Sequence, residues 1–310
     1  MPVLEINARQ LSVQSGELLL DALLAQGVAV PHSCRAGSCH ACLVQCTAGE
    51  LDDPAPELLN PQHYAQGWRL ACQCRIVGDA QLALFDPRHA AIPATVERCT
   101  VLAGDVLHLE LSPQQGLRFQ PGQHVQLYVG GVVRPYSLAC LPGTGLLALH
   151  IDISHAGAMS QQLRQIGVGD SVHVGMVHGG ALGYRSEWQG QPLILLASGT
   201  GLAPLWSALL AAEQAQHGDP VQLLFVGDDC YWQAELAALA ARWPVFTWAQ
   251  VPRPQWPQAL ADMQLVSRRA HALVCGSDHF VQAVSKRLFL AGLPRRQLHC
   301  EAFLQPKTPE

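Results

Sequence analysis

The hydrophobic pattern changes twice along the chain, and each change begins a different kind of predicted structure. Near the start, VLEINA and LSVQS alternate apolar and polar residues as the strands of a hairpin do. ELLLDALLAQG has helical spacing and ends at Gly27, while LACQCRI and AQLALF are predicted as later strands. The first part of the chain is therefore predicted to be a small domain with a sheet and one helix.

A segment without periodicity, FDPRHAAIP, follows and contains two prolines, so we predict a linker at about 86–93. The next segments, ATVERCTVLAGDVLHLELS, HVQLYV and LLALHIDI, alternate with period two and are separated by PGQ and GG. This pattern contains little helix and predicts an antiparallel β-barrel.

In the last third, unbroken apolar strands alternate with amphipathic helices. PLILLAS, VQLLFVG and ALVCGS are the predicted strands, and APLWSALLAAEQAQ, YWQAELAALAARW and HFVQAVSKRLFLAG are the predicted helices. Such strands belong to a parallel sheet covered on both faces, which is the doubly wound α/β arrangement. The chain thus divides into predicted domains at 1–88, 93–188 and 189–310.

Charge and composition exclude several classes of partner. The formal net charge is −5 and no block of Lys and Arg occurs, so neither nucleic acid nor an anionic membrane surface is expected as a partner. The uncharged run from Gln191 to Ala212 could span a bilayer by length, but GTG and Pro204 interrupt it, which favours a strand, a tight turn and a helix. The first twenty residues have no secretory pattern, so a cytoplasmic protein is expected.

Four of the eleven cysteines have the spacing C-x4-C-x2-C, followed after 29 intervening residues by the fourth cysteine. This is the ligand spacing of plant-type [2Fe–2S] clusters. The intervening Ala36, Gly37 and Ser38 are small, which lets the backbone approach an anionic cluster closely. The predicted ligands are Cys34, Cys39, Cys42 and Cys72.

A zinc site made by Cys39, Cys42, Cys72 and Cys74 is the alternative, but it leaves Cys34 and the small-residue loop without a role. A Rieske site would need matched Cys-x-His and Cys-x-x-His pairs, which the chain lacks, so His32 and His40 are expected to be loop residues. Six of the other cysteines are expected to be ordinary thiols. They are Cys46, Cys74, Cys99, Cys140, Cys230 and Cys300.

Four further motifs follow the cysteines in order: RPYSL at 134–138, GAMSQQL at 157–163, GTGLAP at 199–204 and LVCGSDHFVQAV at 273–284. Taken alone, each motif is weak evidence for a function; an Arg and a Tyr at a strand end, for example, are common on protein surfaces. Together with the cysteine run, they resemble the ferredoxin–NADP reductase superfamily in the form that begins with a ferredoxin domain. The resemblance covers essentially the whole chain. It implies a β-grasp ferredoxin domain, an antiparallel FAD-binding β-barrel and a doubly wound nucleotide domain.

The resemblance implies FAD rather than FMN, and it assigns roles to the first two motifs. Arg134 would pair with the flavin pyrophosphate, Tyr136 would pack on the isoalloxazine ring, and Ser137 would hydrogen-bond near N5. Gly157 would allow close approach of the backbone to the phosphates, and Ser160 would donate its hydroxyl. The other positions implied to contact FAD are His150, Ile151, Ile153, Ala158 and Met159.

The same resemblance places the nicotinamide cofactor at the third domain. Gly199, Thr200, Gly201 and Pro204 form the family's variant of the glycine-rich turn, and Cys275 with Gly276 would lie where nicotinamide meets flavin. The implied catalytic residues are Tyr136, Ser137 and Cys275, although Cys275 could simply be a small residue at a strand end. The positions after Gly276 depart from the family's usual Pro and Met, which leaves the shape of this loop open.

Two further residues bear on the cofactors. Asp228, followed by Asp229, would repel the 2′-phosphate of NADPH, which favours NADH; the alternative is an acidic start to a helix. Phe303 in HCEAFLQ would lie over the flavin, or would belong to the core.

The resemblance thus implies a monomeric reductase that carries electrons from NADH through FAD and the cluster to a protein acceptor. That acceptor would be the terminal oxygenase component of a Rieske dioxygenase or diiron monooxygenase system. Two alternatives stay open: a reductase that serves a deoxysugar dehydratase, and a non-catalytic metal-binding module.

Overall fold

The computed structural model describes residues 1–6, 8–32, 34–37, 39–86, 91–265 and 267–303. Residues 87–90 of the predicted linker at 86–93 lie outside these ranges, as do Ser38 and the predicted domain limits at residues 88 and 310. The described residues form three sheets.

The first sheet has five strands: β1 (Val3–Ile6), β2 (Arg9–Ser12), β3 (Leu43–Asp52), β4 (Trp68–Leu70) and β5 (Arg75–Leu84). Their order is β2-β1-β5-β3-β4, with β1 antiparallel to β2 and parallel to β5. Helix α1 (Leu19–Ala25) buries its apolar face on this sheet, and α2 (Pro61–Ala65) precedes β4. This is the expected β-grasp arrangement, including the predicted hairpin.

Two predicted strands of this domain differ from the structure. LACQCRI is divided, because Leu70 ends β4 and Arg75 begins β5, and the residues between them form a turn that carries Cys72. AQLALF is the second half of β5 rather than a separate strand. The long strand β3 was not predicted, because its sequence has no clear alternation of apolar and polar residues and most of its middle residues are exposed.

The second sheet has six antiparallel strands: β6 (Ile92–Leu102), β7 (Val106–Pro113), β8 (Gln123–Val129), β9 (Val132–Ser137), β10 (Leu147–Asp152) and β11 (Ser171–Gly179). Their order is β10-β7-β6-β11-β8-β9. A bridge between Leu138 and Leu149 brings the two edge strands together and curls the sheet into the expected barrel. The short helix α3 (Ala158–Leu163) follows β10.

The third sheet is parallel, with strands β12 (Leu193–Ser198), β13 (Val221–Val226), β14 (Phe246–Val251), β15 (His271–Ser277) and β16 (Leu298–Phe303) in the order β14-β13-β12-β15-β16. Its helices are α4 (Leu202–Gln214), α5 (Gln233–Arg242), α6 (Trp256–Asp262) and α7 (Asp278–Leu290).

Alternate residues of β12 pack on opposite sides of this sheet. Leu193 and Leu195 lie in one core with α4 and α5, whereas Ile194 and Leu196 lie in the other with α7. The doubly wound fold is therefore confirmed. The sheet also packs on the barrel, where Gly122 N–H donates to Ser207 Oγ at 2.9 Å.

Among the helices in the described ranges, none is both long enough and apolar enough to cross a membrane.

Candidate redox centre

The four cysteines predicted as cluster ligands form two contacting pairs. The backbone N–H groups of Cys34 and Cys39 donate to each other's sulfur at 3.4 and 3.3 Å. Cys42 and Cys72 form the second pair, and the hydrogen bond from the Cys42 thiol lowers the pKa of Cys72 to about 7. Two pairs of thiols match the needs of a cluster with two irons, each of which takes two protein thiolates.

The loop around these thiols supplies further N–H donors. Ala36 N–H donates to Cys34 Sγ at 3.3 Å, and Gln73 Nε2 donates to Cys72 Sγ at 3.3 Å. Donors of this kind stabilise negative charge on sulfur, and hydrogen bonds to the sulfurs tune the potential of such clusters. The donor set therefore fits a [2Fe–2S] cluster.

Several residues of this loop have positive φ angles. Arg35 and His40 both have φ of +53°, which is unusual for residues other than glycine. Gly37 has φ of +77°, and a Cβ atom there would overlap the Leu58 side chain. Of the small residues predicted from the sequence, Gly37 is thus favoured by the path of the backbone.

Cys74, the fourth ligand in the zinc alternative, is fully buried and hydrogen-bonded to Asp53, which together with burial raises the pKa of its thiol. Within the described ranges, no three side chains of His, Cys, Asp or Glu converge as ligands of one metal ion would.

A cavity of about 790 Å³ joins the cysteine loop to the barrel and to the last strand. Cys34, Cys39 and His40 line one side, and Glu301 and Phe303 of β16 line another. The barrel contributes the third side through residues 134–137 and 157–160. A volume of this size lies within the range of about 300–1,000 Å³ typical of cofactor sites.

The RPYS motif occupies the end of β9 and faces this cavity as expected. Arg134 Nη1 donates to the carbonyl of Val133 at 2.7 Å, which fixes the guanidinium at the cavity wall. Burial raises the pKa of Tyr136, so its ring is a neutral, largely apolar surface. A fixed guanidinium and an aromatic face are what a pyrophosphate and a flavin ring require.

The GAMS segment also lines the cavity, at the start of α3. Gly157 precedes the helix, and a Cβ atom added there would meet nothing within 4 Å. Open space above Gly157, with Ser160 in the same wall, leaves room for phosphate groups. The residues present therefore fit FAD.

Three of the residues implied to contact FAD do not face this cavity. His150, Ile151 and Ile153 are buried in the core and do not line the cavity. His150 Nδ1 lies 3.1 Å from Tyr231 Oη, and burial lowers the pKa of this histidine to about 3. The residue of this strand that lines the cavity is instead Asp152.

The glycine-rich turn lies at the carboxyl edge of the parallel sheet, where nucleotides bind in doubly wound folds. Gly199, Thr200 and Gly201 form a single 3₁₀ turn between β12 and α4, and Pro204 sits in the first turn of α4, where a missing N–H costs little. A Cβ at Gly201 would overlap the carbonyl oxygen of Cys275. The turn and the end of β15 are therefore in direct contact.

Cys275 itself is fully buried and does not line the 790 Å³ cavity, and neither does Gly276. Burial raises the pKa of the Cys275 thiol well above its ordinary value. Its neighbour across the strands is Glu301, which does line the cavity.

Asp228 lies in the turn after β13 and already has protein partners. Its carboxylate accepts from the backbone N–H of Arg253 at 3.0 Å and lies 3.9 Å from Arg253 Nε. Both side chains are exposed, so a nucleotide at this edge would meet a positive charge as well as a negative one.

Several cavity residues had not been predicted from the sequence. Glu301 stands two residues before Phe303, and burial raises the pKa of its carboxyl group to about 7. His124 Nδ1 lies 3.6 Å from Glu301 Oε1. The only sequence signal was the position of Glu301 within HCEAF, a segment interpreted by its aromatic residue alone.

The cysteine loop is held against the barrel by a small interface. The fully buried Gln126 donates from Nε2 to the carbonyl of His40, and its Oε1 accepts from Tyr128 Oη at 2.7 Å. The rings of His40 and His178 lie 3.9 Å apart, and Val133 packs against Cys39. These contacts bring two thiols of the cysteine loop to the flavin cavity.

Comparison with known proteins agrees with this arrangement. Residues 4–77 match the 2Fe-2S iron-sulfur cluster binding domain, and residues 94–181 match the oxidoreductase FAD-binding domain. A crystal structure of a cytochrome P450 reductase from Amycolatopsis has a TM-score of 0.62 at 25% identity, covering 98% of this chain and 99% of the other.

Two relatives align over nearly the full length. The reductase component of a naphthalene 1,2-dioxygenase/salicylate 5-hydroxylase system from a Ralstonia species is 29% identical over 94% of this chain and 95% of its own. The reductase subunit of an aromatic O-demethylase from an Amycolatopsis species is 30% identical over 96% of this chain and 97% of its own. The chain therefore belongs to the family of FAD- and [2Fe–2S]-dependent reductase components that supply electrons to oxygenase systems.

Proposed function

We propose that this chain is an NADH-dependent reductase whose [2Fe–2S] cluster, held by Cys34, Cys39, Cys42 and Cys72, passes electrons to the oxygenase component of an aromatic-oxidising system. The names of its relatives, which include dioxygenase and O-demethylase systems, support an oxygenase as the acceptor. We further propose domain limits of 1–88, 93–188 and 189–310, although strand β6 of the second sheet already begins at Ile92.

One observation carries this proposal: thiols of the cysteine loop and the predicted flavin-binding residues line the same cavity. When bound, FAD accepts a hydride and releases its electrons singly, which suits a [2Fe–2S] cluster that takes one at a time. In this chain Arg134 binds the pyrophosphate, Tyr136 offers its ring to the flavin, and Ser137 donates a hydrogen bond near N5. Phe303 covers the cavity from the β16 side.

The nicotinamide end of NADH is proposed to lie over the Gly199–Gly201 turn, whose contact with β15 keeps the backbone close to the flavin cavity. Because Cys275 is buried, its role is to support this edge through its main chain and its packing. Hydride transfer depends on stacking and distance, so no side chain there needs to exchange a proton.

The preference for NADH is proposed from Asp228, whose carboxylate would repel a 2′-phosphate. Its pairing with Arg253 weakens that repulsion, so the discrimination against NADPH is expected to be moderate. A single chain contains all the proposed sites, which supports a monomer, and the use of cysteines as cluster ligands rather than in disulfides supports a reducing compartment such as the cytoplasm.

The visible spectrum under anaerobic conditions tests the proposal. With NADH, both the flavin and the iron–sulfur bands should bleach rapidly, and with NADPH the bleaching should be slower. In Cys72→Ser, the iron content should fall and the iron–sulfur band should disappear, because a hydroxyl is a poor replacement for a thiolate on iron. The flavin band should still bleach with NADH.

Cys46→Ser is the matched control, because Cys46 is a partly buried thiol on β3 that donates to the carbonyl of Ala48. It should keep both the cluster and the rates. Two results would contradict the proposal. One is a Cys72→Ser variant that retains a full complement of iron, and the other is a wild-type protein whose flavin is not reduced by NADH.

A further inference from the structure

A second cavity, of about 470 Å³, lies at the amino-terminal edge of the parallel sheet, where β15 begins at His271 and β16 at Leu298. The glycine-rich turn lies at the opposite edge, one strand length away, which is about 20 Å for a six-residue strand. The two cavities share no lining residue. Neither the flavin nor the nicotinamide site accounts for this second cavity.

Four arginines surround this cavity: Arg185, Arg268, Arg269 and Arg296. The only carboxylate in its lining is that of Glu187, which lies 3.7 Å from Arg185 Nη1. In the part of the chain that the structure describes, the other three guanidinium groups form no ion pair. Three unpaired like charges around one concave space repel each other, and an anion bound between them would remove that repulsion.

The floor of the cavity is neutral and held in place. His271 Nδ1 lies 3.2 Å from His299 Nε2, and the ring of Trp188 stacks on His271 at 4.6 Å. Burial lowers the pKa of both histidines, that of His299 to about 4. Gln297 Nε2 donates to the carbonyl of Ala270 at 2.9 Å. The positive charge of the site therefore comes from the arginines at the rim, above a fixed polar floor.

We propose that this cavity binds a compact polyanion, a small molecule with two or more phosphate or carboxylate groups. Guanidinium groups bind both kinds of group through paired N–H donors, and several of them together select a multiply charged ligand. The volume lies within the range of small-molecule sites, and a concave shape suits a small ligand better than a protein surface.

The site is distinct from one for the 2′-phosphate of NADPH. That phosphate would lie near Asp228, after the carboxyl end of β13, whereas His271 and His299 lie at the start of their strands. Occupancy of this cavity therefore does not depend on which nicotinamide cofactor the chain uses.

Calorimetric titration of the FAD-loaded protein tests the proposal, with inorganic pyrophosphate in one arm and citrate in the other. Ionic strength is held constant and NAD⁺ is saturating, so that the flavin and nucleotide sites are filled. One-to-one binding of at least one probe is expected. The probe that binds with the higher affinity shows whether phosphate or carboxylate is the preferred group. Arg296→Gln and Arg268→Gln should each weaken binding by about tenfold or more, as expected for a lost charge-assisted hydrogen bond.

Arg295→Gln is the matched control. It removes the same charge from the adjacent residue, whose guanidinium lies 5.0 Å from the Phe289 ring and does not line the cavity. Its affinity should stay within about twofold of the wild type, because Arg295 does not line the cavity and is not placed to donate a charge-assisted hydrogen bond to a ligand there. Arg268 and Arg296 are exposed, so both variants should fold, and an unchanged visible spectrum would verify this. If neither probe binds, or if Arg295→Gln weakens binding as much as Arg296→Gln, the proposal is wrong.

Discussion

Glu301 is a buried acid in the wall of the flavin cavity, and its environment is built by residues far apart in the sequence. His124, on β8, lies 3.6 Å from its carboxyl group and is paired across the strands with Ser137. Burial raises the pKa of Glu301 to about 7, so this carboxyl group can carry a proton near neutral pH. Phe303, two residues further on, was predicted from its residue type, whereas the environment of Glu301 depends on His124, which lies 177 positions earlier in the sequence.

This pKa gives Glu301 a pH-dependent effect on stability. In the unfolded chain the carboxyl group loses its proton near pH 4.5, whereas in the folded protein it keeps the proton to about pH 7. The folded state therefore binds more protons between these values, and its stability falls as the pH rises through that window. In protein freed of FAD, the wild type should lose about 1–3 kcal/mol relative to Glu301→Gln between pH 5 and pH 8.

Thermal unfolding of both proteins across this pH range measures the effect. Glu57→Gln is the control, because Glu57 lines the same cavity but is exposed, and its curve should run parallel to that of the wild type. Parallel curves for Glu301→Gln and the wild type would contradict a raised pKa at Glu301.

At the level of elements, sequence analysis predicted the strands and loops whose residue pattern lies within one short segment of the chain. The cysteine spacing is contained in one loop and one turn, so the ligand set could be proposed without knowing the fold. Strands β12, β13 and β15 were recognised because both of their faces are largely buried and most of their positions are apolar. The outer strand β14 was missed, since only Phe246 in it is fully buried and its other residues are mixed.

The turn between β12 and α4 depends on the absence of one side chain. Gly201 lies so close to the Cys275 carbonyl that Gly201→Ala must displace either the turn or the end of β15. We expect the variant to lose about 1–3 kcal/mol of stability and to slow flavin reduction by NADH. Gly218→Ala is the matched control, because a Cβ there meets nothing within 4 Å. Melting temperature and the rate of flavin bleaching measure both effects, and wild-type values for Gly201→Ala would show that the contact does not constrain the turn.

At the scale of the whole molecule, the cavity that joins the three domains was beyond sequence analysis. Its walls come from residues near 34–40, 124–179 and 300–303, and their distances follow from how three separately folded sheets pack. Gln126 shows this well, because in the sequence it is an ordinary polar residue of an alternating strand. In the structure it is fully buried and connects the barrel to the cysteine loop.

The position of the cysteine loop relative to the flavin cavity should therefore depend on Gln126. Gln126→Leu keeps the approximate size of the side chain but leaves the His40 carbonyl and the Tyr128 hydroxyl without this partner, at a cost of about 1–3 kcal/mol for each buried group. We expect at least about 1 kcal/mol of this cost to raise the barrier for electron transfer to the cluster, which would slow reduction of the cluster by about fivefold. Reduction of the flavin by NADH should be unchanged, because the nucleotide edge of the third sheet does not contact Gln126.

Stopped-flow measurement at separate flavin and iron–sulfur wavelengths distinguishes the two steps. Gln222→Leu is the control, because Gln222 is an exposed glutamine on β13, away from the interface between the barrel and the cysteine loop. If Gln126→Leu slows both steps equally, the residue acts through general stability. If it slows neither, the hydrogen bond to His40 does not hold the cluster in its electron-accepting position. Selective slowing of the second step would establish that the buried amide sets the geometry between the two redox groups.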